Sequence, residues 1–175
     1  MSIYIVDVET DGPAPGINNM VWFGAVKVDN ELKTTFEGKC KPIFPRTDIS
    51  NETLAVSGLS YLECLTFPDP KETMTKFLNW INETNVGRKP MFFSDNNGFD
   101  FQFINYYFWK YLNQNPFGWS STNIGSLWKG MEKDMFKNFK HLRKTRHDHN
   151  PVNDAIGNAE ALLTMKYKYG LKIKL

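Results

Sequence analysis

The sequence predicts an α/β fold in which a mixed β-sheet is flanked by helices. Three observations carry the prediction. An apolar, β-branched opening run is followed by two more strand-like stretches, a short buried strand sits between two helical patterns, and a well-capped helix closes the chain. The 175 residues suit one domain over 1–175, large enough to enclose a hydrophobic core.

Ile3–Val8 reads as the first strand and runs into the acidic stretch Asp7–Asp11. In Gly12-Pro13-Ala14-Pro15-Gly16 the prolines and glycines forbid regular structure. Val21–Val28 and Leu32–Cys40 follow as strands joined at Asp29-Asn30, a hairpin signal. Pro42 and Pro45 open a loop, and Ser50–Val56 is expected to form a short helix. Asp69-Pro70-Lys71-Glu72 starts a helix with a capping Asp, proline at the first position and a Glu placed to close a capping box. Met74, Phe77, Leu78 and Ile81 share one face of it. Pro90–Phe93 is a short buried strand, Gly98–Leu112 an aromatic helix and Ser126–Phe136 a further helix. Asn150-Pro151 opens the last helix, which runs to about Tyr169 and stops at Gly170.

Composition excludes several classes. No apolar run approaches the ~20 residues that cross a bilayer. Met1–Val6 lacks the basic region and cleavage site of a signal peptide, so a cytoplasmic protein without membrane association is expected. Cys40 and Cys64 form no Cys-x-x-Cys and have no histidine nearby, which predicts free thiols and no zinc site at the cysteines. The net charge of +2 hides an asymmetry: residues 1–100 hold 9 Lys/Arg against 14 Asp/Glu, and residues 101–175 hold 12 against 5. Within 133–146, Lys133, Lys137, Lys140, Arg143, Lys144 and Arg146 face only Asp134. Such a stretch suits phosphate contact and equally suits a solvated surface, so charge alone does not decide function.

Three motifs carry the chemistry. In Asp7-Val8-Glu9-Thr10-Asp11-Gly12, alternate strand residues share a face, so Asp7 and Glu9 project together about 7 Å apart along the backbone. Two carboxylates on one side repel unless cations lie between them, and magnesium or manganese prefers such oxygens. In Asn96-Asn97-Gly98-Phe99-Asp100, Asp100 falls in the first turn of a helix, where the dipole also favours a carboxylate for purely structural reasons. In His149-Asn150-Pro151-Val152-Asn153-Asp154, a cap at Asn150 puts His149 and Asp154 at the two positions that meet in a hydrophobic staple. Here the pair is an imidazole and a carboxylate, suited to a helix end or to catalysis.

The joint pattern D-x-E-T-x-G, N-x-x-F-D and H-x₄-D, spanning Asp7 to Asp154, resembles the DEDDh branch of the DnaQ-like exonucleases, which includes oligoribonuclease, ribonuclease T and polymerase proofreading domains. The length and the run from His149 to Glu160 are most similar to small bacterial and phage 3′–5′ exoribonucleases. The resemblance implies a ribonuclease H-like fold and a catalytic set of Asp7, Glu9, Asp100, Asp154 and His149. The four acids would hold two Mg²⁺ or Mn²⁺ ions about 4 Å apart at the last phosphodiester. His149 would accept the proton of the attacking water, and nucleoside 5′-monophosphates would leave. The implied partner is single-stranded RNA or DNA with a free 3′ end, RNA slightly favoured, and the chain is compatible with a homodimer.

Pro13 stands where many relatives carry a large apolar residue beside the terminal base, so Trp22 and Phe99 are candidates for stacking. Thr10, Asn96, Lys140, Arg143 and Lys144 are further candidates for substrate contact. His141 and His147 are expected to be surface or phosphate-contacting residues without a metal role. Three other readings compete. A ribonuclease H-type endonuclease does not explain His149, a proofreading-like DNA exonuclease differs only in substrate sugar, and a non-catalytic binding module would be expected to have lost one of the five residues.

Overall fold

The computed structural model describes residues 2–44 and 52–175, the side chain of Glu52 excepted. Pro45, Ser50 and Asn51, part of the expected loop and short helix, lie outside the described residues.

Five strands form one mixed sheet: β1 (Ile3–Thr10), β2 (Met20–Lys27), β3 (Thr35–Lys39), β4 (Met91–Ser94) and β5 (Ser121–Asn123), in the order β3-β2-β1-β4-β5. The first three are antiparallel neighbours, whereas β4 runs parallel to β1 and β5 parallel to β4. The helices are α1 (Glu52–Ala55), α2 (Tyr61–Cys64), α3 (Pro70–Thr84), α4 (Asn97–Leu112), α5 (Ile124–Glu132) and α6 (Pro151–Tyr169).

β1 lies at the centre and is covered on both faces. Tyr4, Val6 and Val8 enter a core with Met74 and Phe77 of α3 and Phe103 and Phe108 of α4. Ile3 and Ile5 enter a second core closed by Trp128 of α5 and Ala155, Ala159 and Leu162 of α6. The two-residue period of a strand then carries Asp7 and Glu9 onto this second face, toward its C-terminal end. The apolar opening of β1 therefore fixes which side its carboxylates take.

Several boundaries differ from the expectations. β1 runs on through the acidic residues to Thr10, because its antiparallel pairing with β2 continues from Asp7↔Gly24 to Thr10↔Met20. The hairpin loop is longer than two residues: Asp29 Oδ1 accepts from the N–H groups of Glu31 and Leu32, and Leu32 adopts φ 53°, so β3 starts only at Thr35. In α3, Asp69 caps Lys71 N–H as expected, but Glu72, placed to close a capping box, pairs with Lys76 at 2.7 Å instead. The helix expected over Ser126–Phe136 begins at Ile124 and ends at Glu132, since Lys133 turns left-handed at φ 55°. Strand β5 carries no apolar run and gave no sequence signal, and α2 was likewise unforeseen. The last helix matches its caps: Asn150 Oδ1 accepts from Val152 and Asn153 N–H, Pro151 is the first residue and Gly170 ends it at φ 75°. Cys40 and Cys64 are free, buried thiols, raised by that burial to about 12 and about 11. Among the described residues no helix is long and apolar enough to cross a membrane.

Candidate active site

The site forms where α6 begins over the C-terminal half of β1. Gly24 of β2 pairs directly with Asp7, and a Cβ at Gly24 would collide with the Pro151 carbonyl carbon and the Val152 nitrogen. Its missing side chain lets the first turn of α6 rest on the sheet and brings Asp154 over the carboxylates. One oxygen each of Asp7, Glu9 and Asp154 lie within 4.8 Å of one another. Asp100, in the first turn of α4, is 3% exposed and adds its charge to Asp7 from the end of β4.

Crowding acids in a largely buried place raises their proton affinity. Burial pushes Asp7 well above the usual carboxylate range, reinforced by the charges of Asp100, Glu9 and Asp154. Burial, then the Asp154 charge, raises Glu9 to about 7. Asp100 is raised as well, chiefly by burial. Among the described residues its buried Oδ2 has no hydrogen-bond partner, although an orphaned acceptor of this kind costs about 1–3 kcal/mol. An oxygen-preferring divalent cation would satisfy that acceptor and offset the repulsion, so the residues fit such an ion.

Asp154 has a charged partner inside the protein. Arg143 Nη2 donates to its Oδ1 at 2.7 Å, and both side chains are almost wholly buried. Arg143 is thus not the open phosphate contact expected from the basic stretch. Gly157 provides its berth, since a Cβ there would strike the guanidinium. Asp154 Oδ2 accepts from the backbone N–H of His149 at 3.1 Å and lies 2.7 Å from His147 Nδ1. The backbone of His149 reaches Asp154 through a left-handed φ of 60°. His147 is exposed, as expected of a surface residue, yet it also joins this cluster; its ring centroid is 4.3 Å from that of His149. The signal in the sequence was His147-Asp148-His149 itself, whose turn folds both rings to one side. His141 packs edge-on against Trp128, apart from the cluster, with ring centroids 5.6 Å apart.

The other expected substrate contacts divide. Trp22 is buried among Val21, Leu54, Leu59 and Cys64 and donates Nε1–H to Glu37 Oε1 at 2.8 Å, so it is not an open stacking surface. Thr10 is buried, its hydroxyl donating to Gly12 O at 2.8 Å, which shapes the turn. Lys144 lines a groove with Glu31, Ile156, Glu160 and Tyr167 along α6, a groove that Asp7, Glu9, Asp100 and Asp154 do not line. Phe99 is half-buried, edge-on to Phe103. Asn96 is exposed, and its side chain makes no capping bond. Lys140 is exposed 3.7 Å from Asp95, in a cleft with Asn96, Ser126 and Lys129.

The widened loop after Gly12 is well held. Asp11 accepts from both the backbone and the side chain of Asn19 at 2.6 Å, and Gln102 donates to Pro13 O at 3.0 Å. This tethering leaves Ile17 as a 73% exposed apolar side chain on the loop.

Comparison with known proteins agrees with this geometry. A family model described as Exonuclease (RNase_T) matches residues 4–162. The 3′-5′ DNA exonuclease Cap18 of Escherichia coli is 36% identical over 165 residues, covering 89% of this chain and 86% of that protein. The chain belongs to the DEDDh family of 3′–5′ exonucleases, hydrolases of phosphodiester bonds that use divalent metal ions. The fold is likewise shared with the nuclease domain of 3′hExo bound to rAMP, at a TM-score of 0.77 and 16% identity, covering 99% of this chain and 96% of that one. It is also shared with exonuclease I of E. coli in complex with single-stranded DNA, at a TM-score of 0.71 and 16% identity, covering 97% of this chain and 41% of that one.

Proposed function

We propose that the chain removes nucleoside 5′-monophosphates from the 3′ end of single-stranded nucleic acid, with DNA as the preferred substrate. The observation that carries this reading is the convergence of Asp7, Glu9 and Asp154 within 4.8 Å, with the buried Asp100 acting on Asp7 and its Oδ2 unpartnered among the described residues. Held by these four residues, two Mg²⁺ or Mn²⁺ ions would activate water and neutralise charge on the phosphodiester. His149 takes the proton of the attacking water. The His149 N–H bond to Asp154 fixes the backbone from which that imidazole projects. Arg143 holds Asp154 from the opposite oxygen and so orients it. Phe99, Asn96 and Ile17 contact the terminal nucleotide, while Lys140 and Lys129 hold phosphates behind it.

The lean toward DNA replaces the slight preference for RNA in the sequence reading, and it rests on the 36% identity to a protein named as a DNA exonuclease. RNA is the second reading, favoured by the shared fold with a nuclease bound to rAMP. The test is a panel of end-labelled single- and double-stranded DNA and RNA with Mn²⁺ or Mg²⁺, plus a circular single strand. Stepwise loss from the 3′ end, abolished by EDTA, is expected. Rapid cutting of the circle would overturn the exonuclease reading, and faster digestion of RNA than of DNA would overturn the preference.

A further inference from the structure

We propose that His147, His149 and Asp154 form a second cation site, selective for zinc-like ions over magnesium, which shares Asp154 with the acidic cluster and shuts it down when filled. One ligand atom from each residue lies within 4.8 Å of the others. The set is two imidazoles and one carboxylate. Imidazole nitrogen suits Zn²⁺, Co²⁺ and Ni²⁺, whereas Mg²⁺ requires oxygen, so this set and the all-carboxylate set select different ions.

The turn that presents the rings is built. Asp148, between the two histidines, accepts from Asn150 N–H at 3.1 Å and from Asn153 Nδ2 at 2.9 Å, tying the turn to the start of α6. His147 Nδ1 is 2.7 Å from Asp154 Oδ2. Two ligands on one tetrahedral zinc, each about 2.0–2.1 Å from it, stand roughly 3.3 Å apart. The ring needs to withdraw by only about half an ångström, and its side chain is 46% exposed, which leaves it room to move toward solvent. Arg143 occupies Oδ1 of Asp154, so the oxygen this site would use is Oδ2, which lies beside His147 Nδ1 and also accepts the His149 N–H. Three protein ligands leave a fourth position for water or a phosphate oxygen, the arrangement of an open zinc site.

Occupancy would take Asp154 from the acidic cluster and the His149 imidazole from proton transfer. Zinc at concentrations far below that of magnesium is therefore expected to inhibit. The inhibition clause rests on the nuclease reading, whereas the site itself does not, and the experiment reads binding directly.

The intact protein, held in excess Mg²⁺, is titrated with Co²⁺ while d–d absorption is followed, and with Zn²⁺ against a chromophoric chelator. One Co²⁺ or Zn²⁺ per chain is expected. Substituting an outer-sphere partner of a metal costs about 10–100-fold in affinity, so loss of a direct ligand in His147→Ala should weaken binding at least tenfold. Circular dichroism verifies that the variant is folded, and His147→Gln serves if it is not. Asp7→Asn belongs to the other ligand set and should keep zinc affinity within about threefold. In the nuclease assay, the ratio of activity with zinc to activity without it should rise in His147→Ala. No uptake of zinc in excess Mg²⁺, unchanged affinity in the folded His147 variant, or equal losses in Asp7→Asn and His147→Ala would each overturn the proposal.

Discussion

Replacing Glu9 by Gln should stabilise the metal-free protein at alkaline pH and leave it nearly unchanged in acid. Burial, reinforced by the Asp154 charge, raises the Glu9 carboxyl from 4.5 in the unfolded chain to about 7 in the folded one. Between those values the native state holds a proton that the unfolded chain has released, so stability falls as pH rises through the window. Below 4.5 both states are protonated and no penalty exists; above about 7 the folded state carries it in full. A pKa difference of about 2.5, at about 1.4 kcal/mol for each, sets an upper value of about 3.5 kcal/mol. Asp7 and Asp100 are raised for the same reason and add to the slope in the same direction. The assay is urea unfolding in EDTA across this range, read as the difference between wild type and Glu9→Gln. Adding Mg²⁺ at alkaline pH should restore the wild type, because an ion that binds only the folded state stabilises it. The reasoning is refuted if Glu9→Gln is the less stable protein in alkaline EDTA, or if the two proteins show the same pH slope.

Gly24→Ala should force α6 off the sheet at Pro151, at an overpacking cost of about 1–3 kcal/mol, and should lower turnover by displacing Asp154. Thermal unfolding and rate are measured together, and a variant with wild-type values in both would show that the close approach is unimportant. His149→Ala should lose about 10²–10⁴-fold in turnover, the contribution of a general base, while retaining Mn²⁺ affinity. Normal turnover in that variant would move the base elsewhere, with His147 the next candidate.

The parts of the fold legible in the sequence were those written in local chemistry. Asp69-Pro70 and Asn150-Pro151 announced their helices because capping is a short-range interaction, and Gly170 ended α6 for the same reason. The period of β1 placed Asp7 and Glu9 together because a strand has no other way to arrange residues two apart. What stayed hidden depended on neighbours distant in sequence. β5 is three polar residues whose pairing with β4 alone makes them a strand. Arg143 reads as one of six cations in a basic stretch, and only the packing of α6 shows it buried against Asp154. Trp22 reads as an available ring until Leu54 and Leu59 cover it. Gly24 looks like an ordinary glycine in a strand until the turn at Pro151 is laid across it.

The charges of the site also constrain how many ions it takes. Four carboxylates, Asp7, Glu9, Asp100 and Asp154, share one buried guanidinium, Arg143, which leaves three negative charges once all are ionised. A phosphodiester entering the site adds a fourth. One divalent cation would leave two charges uncompensated in a largely buried site, where an unpaired ion costs several kcal/mol. Two divalent cations restore neutrality only when the phosphate is present. Without substrate, two ions would leave an excess positive charge, so the second should bind weakly until a phosphate arrives. Titrating Mn²⁺ by electron paramagnetic resonance tests this coupling: one tight ion is expected for the free protein, and a second on adding a nucleoside 5′-monophosphate. Arg143→Met removes the internal cation, so the free protein should then take its second Mn²⁺ more readily. If nucleotide left the Mn²⁺ count unchanged, or if Arg143→Met bound its second ion less well, charge balance would not be what sets the stoichiometry.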